Sequence, residues 1–189
     1  MALLNPRGAV VSLAVWLVLA AAPSVSHAGA ITVGASVPNV ALADFQGGAV
    51  HLDGLRGRLV LIDFWASWCQ ACRTILPALD ALSRRYPPSQ VEFLAVNIDT
   101  DRERADQFLA ERIPRPNLHL VADPGGTVMA RFGASGMPAL YVADRLGIVR
   151  LVESGYTIDR LAEVQRLIDT LLDAAPPAGS AGDPPAPEK

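Results

Sequence analysis

The chain holds only two cysteines, Cys69 and Cys72, three residues apart in Trp65-Ala66-Ser67-Trp68-Cys69-Gln70-Ala71-Cys72. Two intervening residues let the thiols close a disulfide within one turn of helix. The apolar run Leu59-Val60-Leu61-Ile62-Asp63-Phe64 precedes the pair, and Ile75, Leu76, Leu79 and Leu82 recur at helical spacing after it. A strand-to-helix junction puts Cys69 at a helix N-terminus, where unpaired N–H groups and the helix dipole favour an anion. The thiolate is the reactive form of cysteine, and this position lowers a thiol pKa. Cys69 is therefore expected to be the exposed nucleophile, and Cys72, one turn further in, the buried resolving thiol. Two plainer readings compete. A structural disulfide over so short a loop would add little stability. A zinc half-site would need two more ligands, and the spacing of His51 and His119 fits no zinc pattern.

Asp63 is the second residue with chemistry to offer. A carboxylate inside an apolar strand is costly unless it is protonated or hydrogen-bonded. Burial raises its pKa, which suits a proton acceptor for the Cys72 thiol near neutral pH. An Asp at a frayed, solvated strand end is the competing reading. Gly136-Met137-Pro138 sits just before another apolar run, Ala139-Leu140-Tyr141-Val142-Ala143. Proline is allowed at the start of a strand, and an X-Pro bond in a tight turn can be cis.

The elements that must position these residues follow from periodicity. Segments 40–42 and 49–52 flank the turn cluster Gln46-Gly47-Gly48 and read as a hairpin ahead of the main sheet. Leu59 to Phe64 is apolar on both faces, as in a central strand. A helix over 70–85 contains Pro77, which predicts a kink. Val91 to Asn97 is a strand, and Thr100-Asp101-Arg102-Glu103 reads as a capping box for a helix through Arg112. Leu118 to Val121 is a short strand, and Thr127 to Phe132 a short helix stopped by Gly133. Strands at 139–143 and 148–152 around the turn 144–147 must be antiparallel. Leu161, Val164, Leu167, Ile168 and Leu171 mark one face of a last helix over 158–172. The alternation predicts an α/β protein with a mixed sheet and helices on both faces.

Both ends read as appendages. Arg7 followed by the apolar run 9–22, Pro23 and small residues at 26–30 describes a secretory signal peptide over 1–28. A retained anchor is the alternative, but 14 residues make only about 21 Å of helix. Residues 174–189 form a Pro/Ala-rich tail that cannot bury a core. The domain is expected over 29–173, in an exported, periplasmic setting. At 189 residues, 51% hydrophobic and net charge −3, the chain is neither a disordered protein nor a plausible nucleic-acid binder.

Gly34-Ala35-Ser36-Val37-Pro38, Leu55-Arg56-Gly57, F-W-A-S-W-C-Q-A-C, Pro77, Val96-Asn97-Ile98-Asp99, Gly136-Met137-Pro138 and Asp144-Arg145-Leu146-Gly147 together resemble the exported thioredoxin-like thiol-disulfide oxidoreductases of the TlpA/ResA type. The resemblance covers about Val33 to Gly155. It implies a thioredoxin fold with an N-terminal β-hairpin extension, and a cis Pro138 facing the Cys69–Cys72 pair. It implies that Met137 offers its backbone to a bound substrate strand and that Trp65 and Trp68 line the site. With Gln70 and Ala71 between the cysteines, these residues make the expected substrate-binding face. Asp63 matches the buried acid of thioredoxin. Three positions depart from the relatives: Ala71 stands where the family carries Pro, Ala95 where thioredoxin pairs its acid with Lys, and Ile75 where haem-maturation reductants often carry Glu.

The leading reading is a cell-envelope dithiol–disulfide exchange enzyme, working more as a reductant than an oxidant. It would act on protein thiols and disulfides, draw electrons from a membrane thiol donor, and need no metal or organic cofactor. It would touch the membrane itself only if the leader is retained. A peroxiredoxin-like peroxidase competes, although those relatives need Thr where this chain has Ala66. A Cu(I)-binding or delivery protein using Cys69, Cys72 and Met137 is the reading from a different class.

Overall fold

A computed structural model describes residues 30–174; the expected leader and nearly all of the expected tail lie outside the described residues. Seven strands form one mixed sheet: β1 (Ala41–Asp44), β2 (Ala49–His51), β3 (Leu59–Trp65), β4 (Val91–Asn97), β5 (His119–Ala122), β6 (Ala139–Ala143) and β7 (Val149–Ser154). Their order is β2-β1-β5-β4-β3-β6-β7. The central β3, β4 and β5 are parallel, and β6 and β7 run antiparallel beyond β3. The helices are α1 (Cys72–Ser83), α2 (Arg102–Arg112), α3 (Thr127–Phe132) and α4 (Leu161–Asp173).

Every residue of β3 and β4 is buried, which is why both read as apolar runs, interrupted only by Asp63 in β3 and by Glu92 and Asn97 in β4. Side chains alternate across the sheet. Leu59, Leu61 and Trp65 of β3 join Cys69, Cys72 and residues of α1, α2 and α4 in one core. Val60, Ile62 and Phe64 join Val128 and Phe132 of α3 and the N-terminal extension in the other. Asp63 therefore belongs to the face that carries the cysteines.

Several boundaries differ from the sequence reading for identifiable reasons. The hairpin is not ahead of the sheet but part of it, because β1 pairs antiparallel with β5 through Ala43–Ala122 and Asp44–Val121. The first helix starts at Cys72, after a turn, and runs through Pro77 as one element. The cap of α2 is Asp101, whose carboxylate accepts from the Glu103 N–H, so Thr100 makes no capping box. A 3-10 turn over Ile158–Arg160 precedes α4. Gly133 does stop α3, in a left-handed conformation at φ 70°.

Candidate active site

The cysteines lie beyond the C-terminal ends of parallel β3 and β4, a common place for a site in an α/β sheet. Cys69 and Cys72 are joined as a disulfide with Cα atoms 5.3 Å apart. Cys72 is the first residue of α1, and its N–H donates to Cys69 Sγ at 3.2 Å. Cys69 thus sits in the turn before the helix, its sulfur taking one of the helix's unpaired N–H groups. Cys69 is not the exposed residue expected: it is only 6% accessible, and Cys72 is fully buried.

A clamp fixes that turn. Asp99, just past β4, accepts from the Ser67 N–H (2.8 Å), the Ser67 hydroxyl (2.9 Å) and the Asn97 side chain (2.8 Å). Asn97 returns a bond by accepting from the Asp99 N–H. The buried carboxylate is satisfied by these donors and pins the backbone two residues before Cys69. The Val96-Asn97-Ile98-Asp99 motif was visible in the sequence, but its link to Ser67 was not.

The surface over Cys69 is an apolar groove of about 530 Å³ lined by Trp68, Gln70, Ala71, Ile98, Met129, Ala134, Ser135, Gly136 and Met137. None of these carries a charge. Trp68 is 63% exposed at its rim, while Gln70 and Ala71 are exposed. The Met137–Pro138 bond is cis, with Met137 half-buried in the groove and Pro138 buried behind it. Trp65 departs from the expected arrangement. It points into the core against the Phe108 ring of α2, 5.1 Å between centroids, and lines no surface. Alternation along β3 puts it inside, whereas Trp68 lies beyond the strand's end.

Asp63 is 1% accessible, and its strand neighbours in register are Ala95 and Leu140. Burial pushes its carboxyl up to about 8, against a smaller opposing effect from the Tyr156 hydroxyl, which donates to Oδ1 at 2.9 Å. Its other oxygen, Oδ2, is buried with no partner. Tyr156 escaped the sequence reading, being 93 residues away in a loop with no motif of its own. Several charged residues elsewhere pair with one another; His119, for example, bridges Asp44 and Glu92. Among the described residues no group of three His, Cys, Asp or Glu side chains is arranged to hold a metal ion.

Comparison with known proteins decides the lineage, since residues 33–152 match the AhpC/TSA family. This chain belongs to the AhpC/TSA family of thioredoxin-like proteins. Within it, the thiol-disulfide oxidoreductase ResA of Geobacillus thermodenitrificans is 30% identical over 126 residues, covering 67% of this chain and 71% of that one. ResA of Bacillus subtilis is 25% identical over 139 residues, covering 73% and 76%. A Chlorobium tepidum structure provisionally assigned as the thiol:disulfide interchange protein DsbE superimposes with a TM-score of 0.70 at 30% identity, covering 76% of this chain and 99% of that one. The Cys69–Cys72 pair of this AhpC/TSA member is accordingly that of a thiol-disulfide oxidoreductase with a thioredoxin-like fold.

Proposed function

We propose that this protein is an exported dithiol reductant of protein disulfides, with Cys69 as nucleophile, Cys72 as resolving thiol and Asp63 as proton acceptor. In the reduced protein the Cys69 thiolate attacks a substrate disulfide, forms a mixed disulfide and expels one substrate thiolate. Asp63 takes the proton from Cys72. The Cys72 thiolate attacks Cys69 Sγ, closes the Cys69–Cys72 disulfide and expels the second substrate sulfur. Two electrons pass from protein to substrate, and the released thiolates take up the protons, one of them through Asp63.

The observation that carries the direction is the uncharged groove around Cys69. A strongly oxidising pair needs its reduced thiolate stabilised. Among the described residues no cationic side chain lines this groove; the local help for an anion is the start of α1. The buried, half-unpartnered Asp63 lies on the same face, and burial lifts its carboxyl to about 8, close enough to an ordinary thiol for its ionised form to take the Cys72 proton. Met137 and cis-Pro138 beside Cys69 support main-chain pairing with an extended substrate segment, flanked by Trp68, Gln70 and Ala71. An envelope location is supported by the charged start and apolar run of the sequence, which also calls for a membrane thiol donor, since that compartment otherwise keeps the pair oxidised. No helix among the described residues is long and apolar enough to cross a membrane.

Equilibration against a glutathione ladder tests the direction. The expected potential is about −250 mV or lower, near the thioredoxin end. A value above about −160 mV would make the protein an oxidant or isomerase. The residue roles are tested separately: Cys72→Ser should accumulate a mixed disulfide with substrate proteins, whereas Cys69→Ser should accumulate none.

A further inference from the structure

We infer that Tyr156 is a positioning residue for the proton-transfer step: by occupying Oδ1 of Asp63 it leaves Oδ2 as the oxygen that receives the Cys72 proton. The inference rests on the proposed role of Asp63 and adds the residue that orients it.

Three observations converge. Tyr156 is buried, and its hydroxyl donates to Asp63 Oδ1 at 2.9 Å. Oδ2 of the same carboxyl has no partner although it is equally enclosed. Buried polar atoms are nearly always paired; among the described residues Oδ2 and the Trp65 indole Nε1 are left without a partner, both on the face that carries the redox pair, and of the two only the carboxyl oxygen can take up and release a proton. The third observation is how the hydroxyl gets there. Gly155 adopts φ 65°, a left-handed conformation that turns the chain inward after β7, and its N–H donates to the Pro138 carbonyl at 2.8 Å. The loop that delivers Tyr156 is thereby tied to the same Met137–Pro138 segment that walls the cysteine groove.

Among the described residues, no other titratable side chain bonds Asp63. On α1, Arg73 lies toward Glu111 and Asp80 pairs with Arg84. On α4, Glu163 pairs with Arg160, Asp169 accepts from Tyr86, and Arg166 bonds the Ala162 carbonyl. On β7, Glu153 pairs with Arg160 and Arg150 with Asp144. Glu92 of β4 and Tyr141 of β6 belong to the opposite face, with His119 and the Phe132 carbonyl. Ala95, in register with Asp63, offers no charge. Tyr156 is the side chain that bonds Asp63, and the two cysteines share its face of the sheet. Tyr156 lies outside the matched segment 33–152, so the family match itself does not assign it.

A hydroxyl bonded to the carboxylate favours its ionised form. Without that bond Asp63 should hold its proton to higher pH and accept from Cys72 less readily. The test follows reduced protein reacting with dithiobis-nitrobenzoate by stopped flow. The second thiolate released reports the Cys72 attack, and its pH midpoint reports the acceptor. Tyr156→Phe should raise that midpoint by about one pH unit or more and slow the step about tenfold at pH 7. Fluorinated tyrosine at position 156, a stronger donor that keeps the shape, should shift the midpoint downward. Carbon NMR of the Asp63 carboxyl in the oxidised protein should show the same two shifts without any turnover. Asp63→Asn should abolish the midpoint, and adding Tyr156→Phe to it should change the rate less than twofold. If Asp63→Asn abolishes the midpoint but neither position-156 variant moves it, the Tyr156 inference is overturned while the role of Asp63 stands. If Asp63→Asn leaves the wild-type midpoint in place, both fall. In either case trapping by Cys72→Ser would still report on the thiol chemistry alone.

Discussion

Asp63 illustrates how one buried carboxyl can set stability against the proton-accepting role proposed for it. The folded protein holds its proton up to about pH 8, whereas an unfolded aspartate releases it near 3.8. Between those values the native state binds the extra proton, so stability falls as pH rises through the window and levels off above it. The slope is about 1.4 kcal/mol per pH unit where the two states differ by a full proton. Asp63→Asn removes the titration but keeps an oxygen for the Tyr156 hydroxyl. In the oxidised protein, thermal melts should show little difference from wild type at pH 4 and a growing advantage for Asn up to pH 8, constant beyond. An advantage that does not change with pH would mean the carboxyl is not held protonated by burial. The burial of Asp63 was legible in the sequence because a carboxylate interrupting an apolar run is a visible expense. Its partner Tyr156 and the Asp99–Ser67 clamp were not, since both pairings join segments that only the fold brings together. Trp65 was misplaced for a simpler reason: motif resemblance grouped it with Trp68, while strand alternation buries it against Phe108.

At the scale of elements, the strands were the legible part. Central strands buried on both faces are apolar on both, so 59–65 and 91–97 stood out despite Asp63, Glu92 and Asn97 and could be placed nearly to the residue. The edge of the sheet was not legible, because pairing of β1 with β5 depends on side chains distant in sequence. His119 of β5 is the staple. Its Nε2 contacts Asp44 of β1 at 2.8 Å and its Nδ1 contacts Glu92 of β4 at 2.6 Å, while Glu92 also meets Arg58. The hydrogen bond to Glu92 is the largest of the influences that push the imidazole up to about 9. A histidine raised by partners stabilises the fold fully below its ordinary value near 6.5, and that contribution disappears as pH climbs through about 9. His119→Gln should therefore cost about 1–2 kcal/mol below pH 6, the lower range for bonds to charged groups because the ring is partly exposed. The deficit should shrink between pH 6.5 and 9. Urea titrations at pH 6 and pH 9.5 measure it, and an equal deficit at both would assign the effect to packing alone.

On the scale of the whole molecule, the extension acts as a strap rather than an ornament. Its first residues bond near β7, where the Gly34 N–H donates to the Val149 carbonyl, the Val37 N–H to the Gly147 carbonyl, and Ser36 bridges Ile148. Its hairpin then pairs with β5 toward the opposite edge of the sheet. Between these anchors it covers a sheet face that has only α3 as a helix, whereas the redox face has α1, α2 and α4. Val40, Leu42, Val50, Leu52 and Leu55 are its contribution to that core. At about 1.5–3 kcal/mol per buried side chain, five such residues bring of order 10 kcal/mol, as much as a typical domain's entire net stability. Removing residues 1–57 would also leave β5 as an unprotected edge, which invites pairing between chains. The truncated chain should show no cooperative thermal transition and should elute as larger species on size exclusion, although every residue of the cysteine groove is retained. A monomer melting within about 4 °C of the full chain would instead make the sheet and redox-face helices self-sufficient. The strap thus bears on function indirectly: the face it seals is the back of β3, and β3 holds Asp63 on its front and leads directly into the turn that carries Cys69.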